Sequence, residues 1–186
     1  MALRNAILAA LLDGEASGYD LAKAFDFAMA NYWAATPQQL YRELDKLAAD
    51  GLIEARVVQQ ERRPNKKIFS LTDEGTEALA LFTASHTKPT TAIRDELMLK
   101  VQVVDVGDVP AVCAALRERR EAASVKIARY ERLQERWLDG RSEAEHLAAT
   151  PRVGPYLTLL RGLEFERANV EWADRCLAVL AQRTGA

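Results

Sequence analysis

Apolar side chains recur at Leu3, Ala6, Ile7, Ala10 and Leu11, the spacing that lines one face of a helix, and predict a helix over residues 2–12 that Asp13-Gly14 stops. A second helix is predicted to start at Ser17. Its hydroxyl can cap free backbone N–H groups, Asp20 stands three residues on, and Tyr19, Leu21, Ala22 and Phe25 follow. The third predicted helix has the clearest start. Thr36-Pro37-Gln38-Gln39 puts a hydroxyl at the N-cap, proline at the first helical position, where its missing N–H does no harm, and glutamine at N3. Asp50-Gly51 ends it, and Leu52 can close the apolar contact of that cap.

The period then changes. Residues 52–58 and 67–71 are rich in β-branched and alternating residues and predict two short strands, with a hairpin link from Gln59 to Lys66. Thr72-Asp73-Glu74-Gly75 opens a fourth helix, with acids in the first turn, where the helix dipole favours them. Three helices, a hairpin and a further helix is the order of a winged helix-turn-helix, the hairpin being the wing.

The polar stretch from Ser85 to Thr91, with Pro89 inside it, separates this region from a second periodic one. The expected domains are 1–86 and 92–186, with a mainly α fold: a winged helix-turn-helix followed by an α-helical dimerisation domain. Ile93, Leu97, Val101 and Val104 suggest a short helix over 93–104. Asp108 can cap a long one that runs to Leu138, before Asp139-Gly140, and Pro155 opens a last one. Val112, Leu116, Ile127 and Tyr130 in the long helix, and Leu160, Leu163, Val170 and Leu177 in the last, keep a spacing close to a heptad seam, which Arg120 and Gln134 interrupt. Such faces can close within one chain or across a twofold axis. Both are expected, with these eight residues as the dimerisation set.

Charge changes the picture locally. The chain has 186 residues and a formal net charge of −2, so no global basic balance points to nucleic acid and a DNA-binding reading must rest on local geometry. On the third helix Leu40, Leu44, Leu47 and Ala48 fall on one side, and Gln38, Arg42, Asp45, Lys46 and Ala49 on the other, with Gln39 and Tyr41 on the flanks. The second helix of such a motif enters the major groove and reaches base edges from its N-terminal end. A glutamine amide suits adenine and an arginine suits guanine. Thr36, Gln38, Gln39, Tyr41, Arg42 and Lys46 are therefore candidate DNA contacts, with Gln38 and Arg42 the base readers. Asp45 faces the same way and counts against phosphate binding. Arg62, Arg63, Lys66 and Lys67 cluster around Pro64-Asn65 and can neutralise phosphates or enter the minor groove. A plain solvated surface is the competing reading of both groups.

The chain resembles the PadR family of transcriptional regulators. The resemblance lies in Leu3-Arg4-Asn5-Ala6-Ile7-Leu8, Ser17-Gly18-Tyr19-Asp20-Leu21, Tyr32-Trp33, Gln39-Leu40-Tyr41-Arg42-Glu43-Leu44, Leu47 with Gly51-Leu52-Ile53, and Lys67 to Gly75. It implies a dimeric winged-helix regulator, commonly a repressor, with ligand-responsive members. Similar proteins often carry Pro-Arg-Lys-Tyr-Tyr in the wing. Here the stretch reads Pro64-Asn65-Lys66-Lys67-Ile68-Phe69, so no wing tyrosine carries over. The C-terminal half resembles the longer-tailed subgroup in helical layout and length.

Tyr130, Trp137, Tyr156, Phe165 and Trp172 are aromatics that either form core or line a pocket for a small aromatic or hydrophobic effector. Cys113 and Cys176 stand far apart, fit a reduced cytoplasmic setting, and read as small buried apolar residues. Enzymatic activity finds no support: His86 and His146 sit in no ligand cluster, and neither a phosphate loop nor a nucleophile elbow is present, so no cofactor or metal is expected. Arg4 and Asn5 interrupt the first apolar run and argue against a signal peptide. The expected partners are double-stranded DNA and a second copy of the chain, with no membrane. The rival reading is a winged-helix module that binds protein.

Overall fold

The computed structural model describes residues 2–25, 35–59, 65–87 and 95–184. It divides into two compact units, Met1–Thr90 and Thr91–Ala186.

In the first unit, helix α1 (Ala2–Ala10) ends in a 3₁₀ turn at Leu11–Asp13. Strand β1 (Ala16–Ser17), α2 (Gly18–Ala24), α3 (Pro37–Ala49), the hairpin β2 (Ile53–Val58) and β3 (Lys66–Leu71), and α4 (Asp73–Ala84) follow. Ile7, Leu8, Leu21, Leu40, Leu44 and Leu47 are buried together, so the apolar stripes of α1, α2 and α3 meet in one core, and Phe69 seats the hairpin on it. α3 ends in the two bonds of a Schellman cap: Leu52 N–H donates to the Leu47 carbonyl (3.0 Å) and Gly51 N–H to that of Ala48 (3.1 Å), with Gly51 at φ 73°.

The sheet has three strands in the order β1-β3-β2, all antiparallel, where the sequence pattern predicted two. β1 pairs Ala16 with Phe69 and Ser17 with Ile68. Two residues are too short to show alternation. Ser17 also caps α2: its hydroxyl accepts from Asp20 N–H (3.1 Å) and the Asp20 carboxylate accepts from Ser17 N–H (3.3 Å). One residue thus ties the start of α2 to the wing. The second strand starts one residue earlier than predicted, since Lys66 pairs with Val58, so Lys66 belongs to the ladder and not to the loop tip.

The second unit contains α5 (Glu96–Gln102), a 3₁₀ turn at Val104–Val106, α6 (Val109–Leu138), α7 (Glu143–Ala149) and α8 (Gly154–Thr184). α6 and α8 pack as an antiparallel hairpin, because ion pairs and hydrogen bonds join early α6 to late α8 and the reverse: Arg120–Asp174 (2.6 Å), Lys126–Glu166 (2.7 Å) and Gln134–Tyr156 (2.9 Å). Arg120 and Gln134, which break the apolar seam in sequence, thus each meet a polar partner on α8. α7 lies where no helix was predicted. Its signal was the capping box of Ser142 and Glu145.

Asp95 caps α5 at Leu97 N–H (3.0 Å) and takes both arms of the Arg119 guanidinium (2.8 and 3.0 Å), so it fastens α5 to α6. Removal of cap and fork together by Asp95→Ala is expected to cost the C-terminal unit about 2 kcal/mol, read by urea denaturation. The Arg119 hydrogen bond holds the Asp95 carboxyl below its ordinary value. A group depressed on folding stabilises above its unfolded pKa. The gap between wild type and variant is therefore full at neutral pH and shrinks as pH falls through the carboxylate range towards the lowered value. A gap that widened in acid would refute the pair's role.

Candidate nucleic-acid interface

The start of α3 is held as its sequence predicts. Thr36 Oγ1 accepts from Gln39 N–H (3.2 Å) and Gln39 Oε1 accepts from Thr36 N–H (3.0 Å). This places Gln39 differently from Gln38: its amide oxygen is committed to the cap and only its Nε2 is left for another partner. Gln38 and Arg42 are exposed, and among the described residues their side chains have no hydrogen-bond or ion-pair partner. Tyr41 is 47% exposed and lies against Gly18, where a Cβ would stand 2.3 Å from its Cε1. Lys46 faces Glu43 at 3.8 Å.

β3 brings the wing to this face. Lys66 Nζ reaches Asp20 at 3.2 Å and Lys67 Nζ reaches Asp45 at 3.6 Å. The Ser17 hydroxyl first, and Lys66 second, hold the Asp20 carboxyl below its ordinary value, so it is ionised at neutral pH. Together α2, α3 and β3 line a concavity of about 990 Å³ that includes Tyr19, Asp20, Tyr41, Asp45, Lys66 and Lys67. Arg62 and Arg63 lie outside the described residues, as do Tyr32 and Trp33. Two features of the site escaped sequence reasoning. Tyr19, grouped with the apolar positions of α2, is 70% exposed. Its place two residues before buried Leu21, about 200° away around the helix, was the available signal. Asp20 and Asp45 become partners of the wing lysines, a pairing set by strand register.

The C-terminal candidates divide. Val112, Leu116, Tyr130 and Leu163 are buried within their own chain, each at 7% exposure or less, so they build the α6–α8 hairpin and are not free for another copy. Ile127, Leu160, Val170 and Leu177 are half-buried and keep part of their surface. The five aromatics are not brought to one pocket. Tyr156 meets Trp137 (6.3 Å between centroids) and His146 (4.9 Å), whereas Phe165 lies under the Arg161 guanidinium at 5.7 Å. Trp172, roughly 24 Å from Tyr156 along α8 at 1.5 Å per residue, lines a separate groove of about 350 Å³ with Val101, Val104 and Cys176. Burial pushes the Cys176 thiol up, away from the reactive thiolate. Among the described residues no helix is long and apolar enough to cross a membrane.

A three-helix core, a capped helix presenting exposed amide and guanidinium groups, and an adjoining antiparallel wing define a winged-helix DNA-binding regulator of transcription. Comparison with known proteins agrees with that class. Residues 7–81 match the model of the transcriptional regulator PadR-like family, and residues 93–181 match that of the virulence activator alpha C-terminal region. The negative transcriptional regulator PadR of Bacillus subtilis is 30% identical over 96% of this chain and 97% of its own. The structure of B. subtilis PadR in complex with operator DNA superposes with a TM-score of 0.76 at 29% identity, covering 97% of this chain and 99% of that one. A structure of the same protein with p-coumaric acid gives 0.68 at 26% identity, with coverage of 97% and 99%. The chain belongs to the PadR-like family of transcriptional regulators.

Proposed function

We propose that the protein is a homodimeric repressor that binds a twofold-symmetric operator, with α3 in the major groove and the wing on the flanking backbone. The observation that carries this is the capped N-terminus of α3, which leaves Gln38 and Arg42 exposed and, among the described residues, without partners of their own. Tyr41, Lys46 and Lys66, with Arg62 and Arg63 from the basic stretch between the two hairpin strands, supply positioning contacts. A single winged helix buries little surface, so specificity calls for two copies on half-sites about one turn, roughly 34 Å, apart. The half-buried Ile127, Leu160, Val170 and Leu177 supply the seam between copies. The kinship with a negative regulator supports the sign of control.

A small aromatic effector relieves repression by favouring one arrangement of the dimer over another. The bound p-coumaric acid in the B. subtilis relative supports this class of ligand, and Trp172 in its apolar groove is the aromatic best placed to meet it.

Footprinting on the DNA upstream of the protein's own coding region, at two salt concentrations, tests the reading. A protected twofold-symmetric site that weakens steeply with salt is expected. One unsymmetric half-site would overturn the dimer, and a reporter silenced by loss of the protein would overturn repression.

A further inference from the structure

Four described cations stand on the face formed by α3 and the wing: Arg42, Lys46, Lys66 and Lys67. Three already face an acid. Lys46 meets Glu43 at 3.8 Å, Lys66 meets Asp20 at 3.2 Å, and Lys67 meets Asp45 at 3.6 Å. Arg42 alone lacks such a partner among the described residues. Among the described residues the charges on this face therefore nearly balance, although it is the face the proposed reading brings against a polyanion.

Asp45 is the most telling of the three acids. Asp20 belongs to the cap of α2, and Glu43 pairs within its own helix. Asp45 makes no cap, its side chain is 72% exposed, and it reaches a lysine on another element. It stands one turn beyond Tyr41 and Arg42 on the same helical face. A surface built only for tight phosphate binding would not place a carboxylate there.

We propose that Asp45 is a specificity-determining residue that acts by repulsion: by holding Lys67 in an ion pair on the recognition face, it keeps affinity for arbitrary duplex low. This rests on the proposed use of that face. Binding to arbitrary sequence draws almost all its free energy from lysine and arginine contacts to phosphate. A lysine that must leave a carboxylate, and a carboxylate that stays behind beside the backbone, weaken that term. In the operator complex the register is set by base contacts from Gln38 and Arg42, and Lys67 keeps its partner. Repressors compete against a vast excess of non-specific sites, so the ratio of affinities matters more than either alone.

The test uses the full-length protein and two probes: the duplex that wild type enriches from a random library, and a shuffled version of it. Asp45→Asn keeps the shape of an exposed side chain, so folding is preserved. Affinity for the shuffled duplex is expected to rise about 3- to 10-fold, with a salt slope steeper by up to about one per subunit. Affinity for the enriched duplex should move less than about 3-fold, so the ratio falls. Lys67→Gln should do little alone and should cancel the gain in the Asp45→Asn background. Unchanged or weaker binding to the shuffled duplex overturns the proposal, as does an equal rise on both probes. Loss of the enriched duplex alone also overturns it, because Asp45 would then read a base. Failure of the underlying face shows separately, as an Arg42→Ala variant that binds both probes like wild type.

Discussion

Gly75→Ala is expected to lower the stability of the N-terminal unit by about 3 kcal/mol. Alanine favours a helix over glycine by about 1 kcal/mol, so the usual prediction for this first-turn position of α4 is a gain. The geometry reverses the sign. A Cβ on Gly75 would stand 2.1 Å from the Leu52 carbonyl oxygen and 2.8 Å from Leu71 Cδ1. The first of these is backbone and cannot turn aside. Moving it means prying α4 from the chain that leaves α3, and that junction is tightly bonded. Thr72 N–H donates to the same Leu52 carbonyl (3.3 Å), the Thr72 hydroxyl donates to the Gly51 carbonyl (2.8 Å), and Gly75 N–H donates to the Thr72 hydroxyl (3.0 Å). Loss of even two such bonds, at about 1 kcal/mol each, exceeds the gain in propensity. Urea denaturation followed by circular dichroism reads the difference, and an alanine variant as stable as wild type would show that the junction has slack.

The same junction shows how far local signals carry. Thr72-Asp73-Glu74-Gly75 announces a helix start, and Thr36-Pro37-Gln38-Gln39 another, because caps are written in side chains that bond to backbone three residues away. Both lie at the helix starts the pattern predicts. The glycine's need for space against Leu52 has no such signature, since Leu52 reaches it through the fold. β1 fails for a related reason: at two residues, only its partner β3 makes it a strand. In the C-terminal half the apolar period locates α6 and α8 but leaves open what each face meets. Val112 and Leu116 share their period with Ile127, yet the first two are sealed inside the hairpin and the third is not. Periodicity reports that a face is covered, not by which chain. Among the site residues, the capping pattern and the helical period already set Gln39 at N3 and Gln38 on the outer face in sequence. The cap separates them, taking the amide oxygen of one and leaving the other whole.

That separation has a measurable result. The double variant Gln38→Ala/Arg42→Ala should lose about 100-fold in affinity per half-site for the enriched operator. A good bidentate base contact is worth about 1–3 kcal/mol, and the two residues, one helical turn apart, are close enough that their losses fall short of a simple sum. Affinity for a shuffled duplex should drop only by the worth of one guanidinium charge, a few-fold at moderate salt. The ratio between the two therefore collapses, which a loss of general basicity would not produce. Stability should not change, because neither side chain bonds to the described remainder of the chain. Gln39→Ala behaves oppositely: it breaks the capping box, costs about 1 kcal/mol of stability, and affects the two duplexes more evenly. Anisotropy titrations on both probes, with melting curves for each variant, distinguish the patterns. A selective operator defect in Gln39→Ala, with Gln38→Ala/Arg42→Ala binding as wild type does, would mean that a different edge of α3 meets the bases.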